Sequence, residues 1–172
     1  THWYFKNPFG GSINDMRLSL KVNSEVSVDE ETLIPDHPVN LLDPIPLEHD
    51  FDGFLPRPIS GAIIDNCFQI DHEAIEEEDG TSLGVLEKDN FMLEFIPEYT
   101  PAKTNEKTKE KKHCIQYVQV YTPEDRNSIA IEPQSSIANH FQHGYDITYN
   151  NCVLPPSESI QYSTLFIVTW SH

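Results

Sequence analysis

The 172-residue sequence predicts an all-β protein of the sandwich or barrel type. The first observation behind this prediction is that apolar and polar residues alternate with period two, which gives each strand one apolar face. The second is the set of 13 prolines, spread from Pro8 to Pro156, which interrupt helices and force irregular connections between strands. No segment of twelve residues shows an apolar stripe with helical spacing without an interrupting proline or glycine, so no long helix is predicted.

Four segments carry the alternation, and together they predict one domain over residues 1–172. The first predicts a strand from Met16 to Val22, and the last predicts a strand from Ile160 to Trp170. In both, the alternate apolar residues are expected to point into the core. Shorter alternations run from Phe91 to Phe95 and from Ile115 to Tyr121.

The connections between these segments are long and polar. Residues 29–58 contain six prolines and are predicted to form one surface connection, a kind of segment that often carries function. The run KTNEKTKEKK at 103–112 has no interleaved aromatic residue, so it indicates a solvated loop and not a nucleic-acid patch. The acidic run at 76–79 indicates a solvent-facing turn.

The charge of the chain narrows the choice of partner. Eleven basic residues stand against 28 acidic ones, and the formal charge of -17 repels polyanions. Nucleic acid and anionic membranes are therefore excluded as partners, and a neutral ligand is expected. The three arginines, Arg17, Arg57 and Arg126, are scattered in sequence, which disfavours a phosphorylated substrate.

The cysteine content and the hydropathy point to a protein of the cytoplasm. Cys67, Cys114 and Cys152 are odd in number and show no CxxC spacing, which fits reduced thiols better than a disulfide framework. No apolar run approaches the ~20 residues that span a bilayer.

Catalytic signatures that can be recognised by spacing alone are absent from the sequence. It contains no HExxH, no GxSxG and no glycine-rich phosphate loop. His140 and His143 lie three residues apart, but their segment has no helical pattern, so we do not predict a metal site there. From composition and spacing alone, the chain is predicted only to be a soluble acidic β-sandwich.

Four segments, in order, resemble the aldose 1-epimerase (mutarotase) family. They are THWYF at 1–5 followed by INDMRLSLKV; LIP at 33–35 with HDFDGFL and GAIIDNCF at 61–68; VQVYTPEDRNSIAIEPQS at 118–135; and VLPPSESIQYSTLF at 153–166. The sequence departs from the family pattern at Thr1, where the family usually has Asn, and at Pro155-Pro156, where it has Pro-Gly. The match covers nearly the whole chain.

The resemblance implies the galactose mutarotase-like β-supersandwich, in which large antiparallel sheets pack face to face. Complete members of the family have a substantial portion before the histidine motif, with a further histidine and an arginine that touch the sugar. Because this chain starts at the motif, we expect it to be the C-terminal part of such a domain, an incomplete sandwich whose early strands lack neighbours.

The activity implied by the resemblance is an isomerase that interconverts the α and β anomers of an aldohexose such as galactose or glucose, without a cofactor. In this reading His2 is the general acid, Glu132 the general base and Asp65 a ligand of a sugar hydroxyl. The reaction moves one proton off the anomeric hydroxyl and one onto the ring oxygen, so the two catalytic groups should face each other across the sugar without touching.

Residue context adds to these assignments. Glu132 follows the apolar run 129–131, and Asp65 follows Ile63 and Ile64, so both acids end apolar runs and are expected to share one cleft with His2. Candidate sugar-binding residues nearby are the aromatic Phe68 and the amides Gln134 and Asn139. Tyr4 and Phe5 are further aromatic candidates, although core packing is the commoner role for a residue such as Phe5.

Three other functions stay open on the sequence. A carbohydrate-binding relative would keep the cleft without catalysing epimerisation. A hexose-6-phosphate 1-epimerase of the same fold would have arginines near the cleft. A β-sandwich interaction module would have no cleft chemistry at all.

Overall fold

The computed structural model describes residues 2–29, 31–35, 56–77, 82–100, 115–138 and 161–171. The elements in these ranges are mostly strands, which confirms the predicted all-β class. They are β1 (Tyr4–Phe5), a 3₁₀ turn (Ile13–Asp15), β2 (Arg17–Leu20), β3 (Val22–Glu25), β4 (Arg57–Pro58), β5 (Asp65–Ile70), α1 (His72–Glu77), β6 (Gly84–Lys88), β7 (Phe91–Thr100), β8 (Tyr117–Tyr121), β9 (Ile129–Gln134) and β10 (Gln161–Trp170).

The strands form two antiparallel sheets of five strands each. The first, sheet A, has the order β1-β9-β8-β5-β3, and the second, sheet B, has the order β10-β7-β6-β2-β4. The arrangement is consistent with a β-sandwich, in which two sheets pack their apolar faces together.

The predicted strand from Met16 to Val22 is divided between the two sheets. Its apolar residues are all buried, as the alternation predicted. The chain nevertheless leaves sheet B after Leu20 and enters sheet A at Val22, with Lys21 between the two strands. The backbone of Lys21 is hydrogen-bonded in two directions. Its N–H donates to the Leu83 carbonyl, and its carbonyl accepts from the Asp71 N–H. Period two identified the buried face but gave no sign of this change of sheet.

The main core consists of alternate residues from both sheets and from the 3₁₀ turn. Its completely buried members are Ile13, Met16, Leu18, Leu20, Phe68, Leu83, Leu86, Phe95, Val118, Val120, Ile129 and Ile131. Phe5 packs on the edge of this core, with its ring centroid 5.4 Å from that of Phe95. The residue therefore has the core position that is common for a phenylalanine at such a site.

Residues 160–170 were predicted to bury their alternate apolar side chains, and this is only partly correct. In the observed strand β10, Phe166 is partly buried against the core, opposite the buried Phe95. Val168 and Trp170 lie on the same face, opposite Leu93 and Phe91, yet they are 53% and 49% exposed. Among the described strands β10 ends the order of sheet B, and an end position in a sheet leaves side chains less covered than a central one.

The predicted loop at 103–112 and residues 78–79 of the acidic run lie outside the described residues. Glu76 and Glu77, which begin that run, belong to α1. No helix in the described ranges is long and apolar enough to cross a membrane.

Candidate functional site

The face of sheet A that points away from the main core carries a row of polar side chains. In the strand register Gln119 of β8 lies between Cys67 of β5 and Glu132 of β9. Two residues further along β8, Tyr121 lies between Asp65 of β5 and Ala130 of β9. Because side chains alternate across a strand, these residues share one face, and residues such as Phe68, Val118 and Ile131 point to the core.

A cavity of about 440 Å³ lies over this polar face. Its volume is in the range of ~300–1,000 Å³ that is typical of small-molecule sites. It is lined by His2, Tyr4, Val26, Val28, Leu33, Pro35, Asp65, Cys67, Gln119, Tyr121, Glu132, Gln134, Ser136, Ile137 and Ala138. His2, Asp65, Glu132 and Gln134, four of the six candidates from the sequence, therefore line one cavity.

His2 and Glu132 touch directly, which contradicts the expectation that they would stand apart. The Nδ1 atom of His2 lies 2.7 Å from Oε1 of Glu132. The cause is the pairing of β1 with β9, where Tyr4 is opposite Ala130, so that His2, two residues earlier, falls beside Glu132, two residues later. The two side chains differ in environment, because His2 is 72% exposed and Glu132 only 7%. A carboxylate with so little contact with water needs a polar partner, and His2 supplies one.

Asp65 is held by a residue that the sequence reasoning missed. The Nε2 atom of Gln119 donates a hydrogen bond of 2.9 Å to Oδ1 of Asp65. Gln119 belongs to the segment VQVYT and is paired with Glu132 on the neighbouring strand. Residues that are paired in this way point to the same face of the sheet, so Gln119 shares the cavity face with Glu132. The missing information was the register, which sequence alone does not give.

One wall of the cavity is apolar and is formed by Val26, Val28, Leu33 and Pro35. These residues lie at the start of the predicted connection 29–58 and just before it. Val28 and Pro35 form an isolated β-bridge that closes a turn at the cavity rim. Asp29 holds this turn, because its Oδ1 accepts hydrogen bonds from the N–H and the hydroxyl of Thr32. These bonds lower the pKa of the Asp29 carboxyl below its ordinary value. Leu33, at the tip of the turn, has φ 54° and is largely exposed.

The two remaining sequence candidates are Phe68 and Asn139, and of these Phe68 does not line the cavity. Phe68 is completely buried in the main core, because it lies three residues from Asp65 and therefore on the opposite face of β5. Asn139 lies outside the described residues, as do His140 and His143. Tyr4, which the sequence offered as an aromatic candidate, does line the cavity and is half exposed.

Cys67 lines the cavity and is buried, and its surroundings suppress ionisation of the thiol. Burial, and after it the Glu25 carboxylate, raises the pKa of the Cys67 thiol to about 12. The Glu25 carboxylate is itself held by the side-chain amide of Asn66, which donates to its Oε1. A thiol with so high a pKa stays protonated near neutral pH, and the protonated form is a poor nucleophile.

The described lining of the cavity has two carboxylates and no lysine or arginine. Arg126 is used elsewhere, with Nε donating to Asn14 and Nη1 to the Ala62 carbonyl. Arg17 donates to the Pro56 carbonyl on the edge of sheet B. Within the described part of the chain, no three His, Cys, Asp or Glu side chains are grouped so as to hold a metal ion.

Comparison with known proteins gave no match, either among protein-family models or among curated proteins.

Proposed function

We propose that the chain binds a neutral aldohexose, such as galactose or glucose, in the cavity on sheet A and interconverts its α and β anomers. The observation that carries the proposal is the convergence of His2, Asp65 and Glu132 on one cavity, although they are far apart in sequence. This is the set of residues that the resemblance to the aldose 1-epimerases singles out.

The cavity has the chemistry that a sugar requires. Asp65, Gln119 and Gln134 offer carboxylate and amide groups, which form directional hydrogen bonds to hydroxyls. Tyr4 and Tyr121 offer aromatic surface, and the rim residues Val28 and Leu33 offer aliphatic surface for the C–H faces of a pyranose. A mixed polar and apolar lining of this kind is typical of small-molecule sites.

The charge of the cavity favours a neutral sugar over a sugar phosphate. Asp65 and Glu132 contribute negative charge, and the described lining has no lysine or arginine to pair with a phosphate. A hexose-6-phosphate would therefore lose the water around its phosphate without a cation in return.

The proposed reaction uses His2 and Glu132 as acid and base. The Glu132 carboxylate takes the proton of the anomeric hydroxyl while the protonated His2 ring gives its proton to the ring oxygen, and the bond between C1 and the ring oxygen breaks. Rotation about the C1–C2 bond and reversal of the two transfers close the ring on its other face. Because His2 and Glu132 touch, the sugar has to enter between them, and the exposed His2 is the side chain with room to move.

A polarimetric assay tests the proposal. Freshly dissolved α-D-galactose and α-D-glucose are followed as they relax to the equilibrium of anomers, with and without the protein. Glu132→Gln should reduce the acceleration by about 10²–10⁴ because the amide keeps the shape and removes the base. Glu87→Gln, on β6 of sheet B, is the matched control and should keep full activity. Wild-type protein that accelerates no relaxation would refute the catalytic role.

A second candidate is sugar binding without catalysis, and the direct contact between His2 and Glu132 favours it. If the pair stays closed, no sugar oxygen can lie between acid and base, while Asp65, Gln119 and Gln134 remain open to hydroxyls. Calorimetric titration with galactose and glucose separates the two candidates. Binding without accelerated relaxation would support the second candidate, and absence of binding would refute both.

A further inference from the structure

The backbone of Asp65 lies beyond the end of the ladder between β3 and β5. In the described part of the chain, the last bond of this ladder runs from the Val26 N–H to the Cys67 carbonyl. Backbone groups two residues apart on a strand point to the same side, so the Asp65 N–H also points to the β3 side. The chain after β3 has already turned away there, because Val28 is bridged to Pro35.

The side chain of Asn66 takes the place of the strand that has turned away. Its Oδ1 accepts a hydrogen bond of 3.0 Å from the Asp65 N–H, and its Nδ2 donates to Oε1 of Glu25, at the end of β3. The two ends of one amide therefore join the beginning of β5 to the end of β3. The backbone donor of Asp65 has a partner in this way without a further strand.

Glu25 decides which end of the Asn66 amide faces Asp65. A rotation of an asparagine amide by half a turn changes its shape little and exchanges its acceptor with its donors. The rotated amide would place its oxygen against the Glu25 carboxylate and its NH₂ group against the Asp65 N–H, and both contacts are repulsive. The bond to Glu25 therefore keeps the acceptor on the side of Asp65.

Asn66 and Glu25 do not line the cavity, whereas Asp65 does. Side chains alternate along β5, so Asn66 lies on the face of sheet A opposite to that of Asp65. The Asp65 carboxylate is held separately by Gln119, whose Nε2 donates to it over 2.9 Å. Asp65 is therefore fixed twice, at its backbone by Asn66 and at its carboxylate by Gln119.

We propose that Asn66 is a positioning residue of the sugar site, which acts through the backbone of Asp65, and that Glu25 fixes its amide. The inference rests on the proposed function, in which the Asp65 carboxylate accepts from a sugar hydroxyl. Without the bond to Asn66 the beginning of β5 frays, and the carboxylate loses its fixed place in the cavity. Sugar affinity then falls although no group that touches the sugar has been removed.

Calorimetric titration with galactose and glucose tests this role. Asn66→Ala and Glu25→Ala should each weaken sugar binding roughly three- to tenfold. Glu25→Gln should keep the wild-type affinity, because its side-chain carbonyl still accepts from Asn66. Asn23→Ala is the matched control on β3 and should also keep it, since Asn23 accepts from the Ser24 hydroxyl and does not line the cavity.

Hydrogen exchange of the Asp65 amide, followed by NMR, gives a second readout that needs no sugar. The amide should exchange slowly in wild type and in Glu25→Gln, and roughly tenfold faster in Asn66→Ala and Glu25→Ala. Wild-type exchange in either alanine variant would overturn the proposal.

The two readouts separate this proposal from the proposed function. Unchanged sugar affinity in a folded Asn66→Ala variant, beside a wild type that binds sugar, would overturn the positioning role alone. A wild type that binds neither sugar would refute the proposed function and the role of Asn66 in it together, whatever the exchange rates.

Discussion

Gln119 and Asp65 are joined across the ladder between β8 and β5, with the amide nitrogen of Gln119 donating to the carboxylate of Asp65 over 2.9 Å. The bond fixes the orientation of Asp65, which is otherwise an exposed side chain at the start of its strand. It also places an amide between the two carboxylates of the cavity, because Gln119 is opposite Glu132 in the register.

Gln119→Leu should weaken binding of galactose or glucose roughly tenfold, because it removes both a polar contact and the group that orients Asp65. Calorimetric titration measures the effect. Gln69→Leu is the control. Gln69 lies on the same face of β5 as Asp65 and Cys67 and accepts a hydrogen bond from Ser24, but it does not line the cavity. Equal affinity of the Gln119 variant and the wild type would remove Gln119 and its bond from the proposed site.

Phe68→Leu should lower the free energy of unfolding by roughly 1–2 kcal/mol and leave sugar affinity unchanged. Phe68 is completely buried on the core face of β5, so the smaller side chain leaves a space between the sheets. Denaturant unfolding and calorimetric titration measure the two effects separately. A loss of affinity in a variant that stays folded would return Phe68 to the sugar site that the sequence suggested.

Arg126→Lys should lower the free energy of unfolding by roughly 1–3 kcal/mol. The guanidinium of Arg126 donates to Asn14 and to the Ala62 carbonyl at once, 2.8 Å to each, and a single ammonium cannot reproduce this fork. Asn14→Ala removes one acceptor. In a double-mutant cycle the two substitutions should therefore be non-additive. Additive effects would show that the two side chains do not depend on each other.

The Cys67 thiol should lower stability at alkaline pH. Burial, with the Glu25 carboxylate as a second cause, raises the pKa of Cys67 from 9.0 to about 12 in the folded chain. The unfolded chain therefore loses this proton first, and the free energy of unfolding should fall by about 1.4 kcal/mol per pH unit above about pH 9. Below that pH both states keep the proton, and the thiol has no effect on the pH dependence.

Unfolding curves of wild type and Cys67→Ala, compared from neutral to alkaline pH, isolate this contribution, since all other titrating groups are shared. The difference between the two free energies should change only in the alkaline range. Alkylation gives an independent check in a variant with Cys114→Ser and Cys152→Ser. At pH 8 Cys67 should react with iodoacetamide only after denaturation.

The sequence predicted the class of the fold because the alternation of apolar and polar residues follows from which face of a strand is buried, and each strand shows it independently. Leu18, Leu20, Leu93 and Phe95 are buried as predicted. It could not predict the change of sheet at Lys21, because that depends on which strands pair. Nor could it predict the half-exposed Val168 and Trp170, whose burial depends on what covers an edge strand.

The candidate site was also predicted only in part, because strand pairing decides which of its residues touch. His2, Asp65, Glu132 and Gln134 were found from the resemblance, and the structure brings them to one cavity. The predicted separation between the side chains of His2 and Glu132 was wrong, because the register of β1 on β9 makes these two residues neighbours. Gln119 and the turn held by Asp29 were missed, because both depend on contacts between segments that are distant in sequence.

Sheet A gives one face to the main core and the other to the cavity, so successive residues of β5, β8 and β9 contribute in turn to packing and to the cavity lining. A change at Val118 or Ile131 disturbs packing between the sheets, whereas a change at Gln119 or Tyr121 alters only the lining of the cavity. The lining of the cavity can therefore change by substitutions at every second position without loss of the fold, and with it the preference for the ligand proposed above. Descendants of one ancestral sandwich could recognise different molecules and share little sequence beyond the alternation itself.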